Sequence, residues 1–121
     1  MHRIAFSLVF AALAFSADPS AAQPAPSFEA PCGELRREIE KLGWDGREIV
    51  TIAVRGRLRS VRTDGALVYL FLCEDPAPRV MCVTYETNGR TEGDEVIVTG
   101  NYIPRDANHI QLDPCLHHLA D

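Results

Sequence analysis

The sequence has no apolar run long enough to cross a membrane. Its most apolar stretch, Ile4 to Ala17, is fourteen residues, short of the ~18 or more that a spanning helix needs. It has no Cys-x-x-Cys, which argues against a thiol-exchange role for its 4 cysteines. No nucleophile elbow, phosphate loop, metalloprotease helix or Ser-His-Asp arrangement is readable, so the chain is read as non-catalytic and without a cofactor. Aromatics make up 7% of the residues, few for a platform that stacks successive bases or sugars. Positive charge is also short. A formal net charge of -5 excludes a general binder of nucleic acid or anionic membranes. Internal repeats are absent.

What is present begins with an export pattern. His2 and Arg3 precede the apolar run, and Ser20-Ala21-Ala22 supplies small residues at the −3 and −1 positions. Residues 1–22 therefore read as a signal peptide cleaved after Ala22. Export places the chain in the periplasm or outside the cell and makes chromosomal DNA an unsuitable partner. An even cysteine count in a small exported domain reads as a disulfide framework.

Residues 23–31 hold Pro24, Pro26 and Pro31 among small side chains and read as a flexible leader. One domain follows, from 32 to 121. Leu35, Ile39 and Leu42 fall on one face of a 3.6-residue repeat, so a helix is predicted over 34–42, stopped by Gly43. From Ile49 the period changes to two. Strands are predicted at 49–62, 66–74, 79–87, 94–103 and 109–113, with Asp64-Gly65 as a hairpin turn and 114–121 as a tail. Short strands joined by short turns mean an all-β barrel or sandwich with a small α contribution. Gly56, in the middle of the long first strand, suits a sharp bend.

Three stretches resemble the OB-fold: Val54-Arg55-Gly56-Arg57-Leu58 its bent first strand, Gly93 to Tyr102 its fourth, and His109-Ile110-Gln111-Leu112-Asp113 its closing fifth. The chain is similar to small exported bacterial members of that fold. The resemblance implies a five-stranded Greek-key barrel, here preceded by one helix and stapled by disulfides, acting as a binding module. It lacks the usual helix between strands three and four, where Asn88 to Gly93 stands instead. The helix before the barrel suits a plug for its open end.

Four cysteines allow three connectivities. The short turn between Cys73 and Cys82 favours their pairing, leaving Cys32 with Cys115. That pairing sets Phe71 opposite Thr84 and Leu72 opposite Val83, with Val68, Leu70, Leu72, Val83 and Tyr85 as a core face.

Candidate ligand contacts are Tyr69 and Phe71 on the second strand, with Arg57, Arg59 and Arg62 on the first. Guanidinium groups suit phosphate, sulfate or carboxylate. The competing expectation is that the arginines pair across strands with Glu92, Asp94 or Glu95. The expected ligand is anionic, or a glycan-like or nucleic-acid-like polymer. The alternative is a structural or assembly role against another envelope or secreted protein. A weaker alternative is metal binding by His109, His117 and His118 with Asp113, whose spacing matches no dedicated motif.

Overall fold

A computed structural model describes residues 25–121. The expected signal peptide and the first residues of the expected leader lie outside that range. The elements are β1 (Glu29–Pro31), α1 (Cys32–Leu42), β2 (Thr51–Thr63), β3 (Val68–Leu72), β4 (Arg79–Thr84), β5 (Glu95–Asp106) and β6 (His109–Leu119). Strands run round a closed barrel in the order β2-β3-β4-β6-β5, with β5 pairing back onto β2. The β4–β6 pair is parallel, and the other four pairs of the circle are antiparallel. This mostly-β, five-stranded closed barrel with one helix and two disulfides is compatible with an OB-like fold.

The first half of β2 pairs with β5 on one edge, so β1 occupies its other edge. The leader therefore ends in a strand, with Ala30 buried. Period-two alternation builds the interior from Ile52, Val54 and Leu58 of β2, Leu70 and Leu72 of β3, Val80 and Cys82 of β4, Val96 and Val98 of β5, and Leu112 of β6. Leu35 of α1 is fully buried in that cluster, so the helix packs onto the barrel core. Burying such a leucine contributes about 2–3 kcal/mol. Gly43, in the left-handed region at φ 60, ends the helix, its N–H donating to the Glu40 carbonyl.

The disulfides join Cys32 to Cys73 and Cys82 to Cys115, which corrects the expected pairing. The cause lies at the end of β3. Cys73 has φ 65 and turns out of the ladder toward the start of α1. Met81, not Thr84, faces Phe71, a three-residue shift from the expected register. Cys82 then points into the barrel and meets Cys115. Tyr85, expected in the core, is 76% exposed. The closed loops have sequence separations of 41 and 33 residues; neither overlaps the other, and each closure removes about 4 kcal/mol of unfolded-state entropy.

The expected tail is strand to Leu119. A register shift between Gly100 and Tyr102 puts an extra residue into β6 at Asp113-Pro114, so Leu112 and Cys115 both face inward. Gly100 is needed there, because a Cβ would run into the Pro114 carbonyl. A second shift, between Leu58 and Ser60, puts the extra residue of β2 at Arg59. Gly56 has a different part from the expected bend. A Cβ there would lie 2.8 Å from Cys32 Sγ, so the glycine makes room for the disulfide.

Candidate functional site

The five residues expected to bind ligand divide between two regions. Arg57 and Arg59 line a cleft of about 750 Å3 beside the Cys32–Cys73 bridge, together with Arg36, Glu74, Asp75 and Glu92. Phe71 lies in a separate recess of about 410 Å3 on the outer face of β3, β4 and β6. Arg62 and Tyr69 are paired neighbours on β2 and β3 beside it.

In the cleft every arginine already has oxygen partners. Arg59 Nη1 is 2.5 Å from Glu74, and Arg57 Nε is 3.8 Å from Glu95. Arg55, further along the same stripe, is 3.9 Å from Glu29. Arg36 donates to the carbonyls of Ala107 and Pro76 and to Asn108 Oδ1, at 2.9, 3.1 and 3.2 Å. Among the expected acid partners, Glu95 meets Arg57, while Asp94 instead accepts the Thr91 backbone N–H.

The recess is built differently. The sheet register sets Ser60, Phe71, Met81, Gln111 and Ile103 in one row across four strand pairs. Phe71 and Met81 give it an apolar wall, while Val80 and Ile110 at its base are buried in the core. Arg79, Arg105 and His109 also line it, and among the described residues no acidic one does. Among the described residues, neither Arg79 nor Arg105 has an ion-pair partner. His109 Nδ1 lies 2.9 Å from both carboxylate oxygens of Asp106. The Asn108 backbone N–H, and then His109, hold the Asp106 carboxyl below its ordinary range. The Arg62 guanidinium sits over the Phe71 ring, 5.8 Å from its centroid.

Tyr69 belongs to the other end of this face, which is acidic. Its hydroxyl donates to Asp64 Oδ2 at 2.7 Å. That bond chiefly raises the phenol pKa, and the charges of Asp64 and Asp113 add to it. Asp64 also accepts the backbone N–H groups of Leu67 and Ala66, so its own pKa falls to about 2. The tyrosine thus stabilises the Asp64-Gly65 turn.

No protein-family model matches the chain, and neither does any curated protein. Among solved structures, a protein described as an aspartyl-tRNA synthetase from Leishmania major Friedlin is similar. The match covers 83% of this chain and 22% of that one, with a TM-score of 0.50 and 17% identity. At that identity the likeness speaks for the fold alone.

The histidines do not converge. His109 and His117 stand near opposite ends of β6, roughly 25 Å apart at ~3.3 Å per residue. His117 and His118 point to opposite faces. His117 is buried, and its Nε2–H donates to the Glu86 carbonyl at 2.8 Å, closing the seam between the ends of β4 and β6. Among the described residues no group of three or more His, Cys, Asp or Glu could hold a metal. Sequence reasoning missed Arg79, Arg105, Met81 and Gln111. The parallel β4–β6 register, which sets Arg79 beside His109 and Met81 beside Gln111, and the β5–β6 register, which carries Arg105 to the same end, bring them together.

Proposed function

We propose that the chain is a non-catalytic binding module of the periplasm or extracellular space that holds an anionic ligand on the outer face of β3, β4 and β6. The two disulfides fit an oxidising compartment. The observation that carries the reading is the Phe71 recess, where an apolar floor meets Arg79 and Arg105 with no acid in the lining. Guanidinium groups beside an apolar floor favour an anion that brings its own counter-charge. In a chain of net charge -5, a rim of one sign is a local feature that overall composition does not create.

The test is a low-salt titration with two anionic probes, heparin and 2-naphthoate. Binding of at least one is expected. It should weaken in Arg79→Ala/Arg105→Ala and persist in Arg57→Ala/Arg59→Ala. Failure of both probes, or binding that follows Arg57 and Arg59, contradicts the proposal.

A second reading, docking against an envelope or secreted protein, draws on the exposed Tyr85, Leu116 and Leu119. Such a complex would survive salt and be indifferent to Arg79 and Arg105.

A further inference from the structure

The face that carries the recess changes sign along its length. At the Phe71 end stand Arg79, Arg105 and the Arg62 guanidinium. At the Tyr69 end stand Asp64 and Asp113, both of which act on the phenol. A linear polyanion tracking along this face would leave the cations and run against two carboxylates. A stacking polymer also needs successive free aromatic faces. Here the recess is lined by one phenyl ring, Phe71, and Tyr69 is anchored through its hydroxyl.

Size points the same way. About 410 Å3 lies within the ~300–1,000 Å3 of small-molecule sites, which are mostly apolar with a few placed polar groups. Gln111 adds one such group. Its amide nitrogen donates to Asp113 at 3.2 Å, which leaves the amide oxygen free to accept.

We propose that the Phe71 recess binds one compact amphipathic anion, a carboxylate, sulfonate or phosphate head on an aryl or short acyl body, with the body against Phe71 and Met81 and the head between Arg79 and Arg105. This rests on the reading of the face as anion-binding and narrows it from polymer to small molecule. The shared chemistry is the amphipathic anion. Aryl and acyl sources are separated by which body binds more tightly.

The experiment is isothermal titration of the purified protein with 2-naphthoate, octanoate, the neutral analogue 2-naphthalenemethanol, heparin and a ten-nucleotide oligothymidylate. Naphthoate or octanoate should bind one to one. The neutral analogue should bind at least tenfold more weakly, the share of about one charge-assisted hydrogen bond. Arg79→Ala and Arg105→Ala should each cost roughly tenfold on the same basis. Both side chains are on the surface, and circular dichroism checks that the variants fold. Salt should weaken the small anion only modestly, whereas a polyanion's affinity would fall steeply.

Heparin or oligothymidylate binding that depends on Arg79 and Arg105, without small-anion binding, overturns this inference and leaves the wider function standing. Equal affinity for naphthoate and its neutral analogue, or no binding by any probe, overturns both.

Discussion

The cleft beside Cys32–Cys73 and the recess over Phe71 both set arginine against an apolar wall, yet they are opposite in electrostatic state. The cleft is the larger, at about 750 Å3 against about 410 Å3. Its cations are answered from within: Arg57 by Glu95, Arg59 by Glu74, Arg36 by three oxygens of neighbouring loops. In the recess Arg79 and Arg105 have no acidic partner among the described residues. The proposed function follows the unanswered charge rather than the larger volume. Each exposed ion pair in the cleft is worth only about 0–1 kcal/mol, but an incoming anion must still compete with a tethered carboxylate.

The largest expected effects concern the two bridges, one in the core and one beside the cleft. Cys82→Ser/Cys115→Ser should lower stability by about 4 kcal/mol or more, through lost loop constraint and two hydroxyls placed in the core. Denaturant unfolding measures this. The bridges should also differ in access. Cys82 and Cys115 are 0% and 2% exposed, whereas Cys32 is only partly buried and lines the cleft. Graded dithiothreitol followed by alkylation and peptide mass mapping should therefore label Cys32 and Cys73 first. Labelling of Cys82 before Cys32 would break the contrast.

A smaller effect is expected at Gly56. Alanine there crowds Cys32 Sγ and Leu72 and should cost about 1–3 kcal/mol, typical of overpacking, while naphthoate affinity stays unchanged. If the recess weakens too, the two regions are not independent.

Removing the acids of the cleft should reduce the contrast. Glu74→Gln with Glu95→Gln frees Arg59 and Arg57 and should give the cleft a weak affinity for heparin, at a stability cost under about 1 kcal/mol per pair. Unchanged heparin binding would mean that pairing is not what silences the cleft.

The smallest effect is acidic. The Leu67 backbone N–H, the Tyr69 hydroxyl and the Ala66 backbone N–H lower the Asp64 pKa to about 2, from an ordinary 3.8. Its contribution is fully present above 3.8 and is lost as pH falls through about 2. Asp64→Asn should flatten the acid limb of stability over that window, as read by urea unfolding at successive pH values. An unaltered limb would remove Asp64 from the account.

Much of the barrel was legible in the sequence because period-two burial is local. Ile52, Val54 and Leu58 announce β2, Leu70 and Leu72 announce β3, and Asp64-Gly65 marks the turn between them. The disulfide pairing was not, because it depends on the backbone of Cys73, whose positive φ no neighbour in sequence dictates. The error then spread, since the assumed Cys73–Cys82 pair carried a false register that placed Tyr85 in the core. The length of β6 was hidden for a related reason. Pro114 reads as a terminator, yet it sits in a bulge and pairing resumes from Cys115 to Leu119. Phe71 and the arginine stripe could be named from residue type alone. The partition of that stripe could not, because Glu74 reaches Arg59 only once the β3–β4 turn is folded, and Arg79 and Arg105 meet Phe71 only through the barrel register.

The most direct test is an amide chemical-shift map of the protein titrated with 2-naphthoate at low salt. Saturable shifts are expected at Phe71, Arg79, Met81, Arg105 and Gln111, with Gly33, Arg57, Arg59 and Glu74 unmoved. Shifts centred on the cleft residues, or none at saturating probe, would contradict the claim that the unanswered arginines of the recess are the working part of this surface.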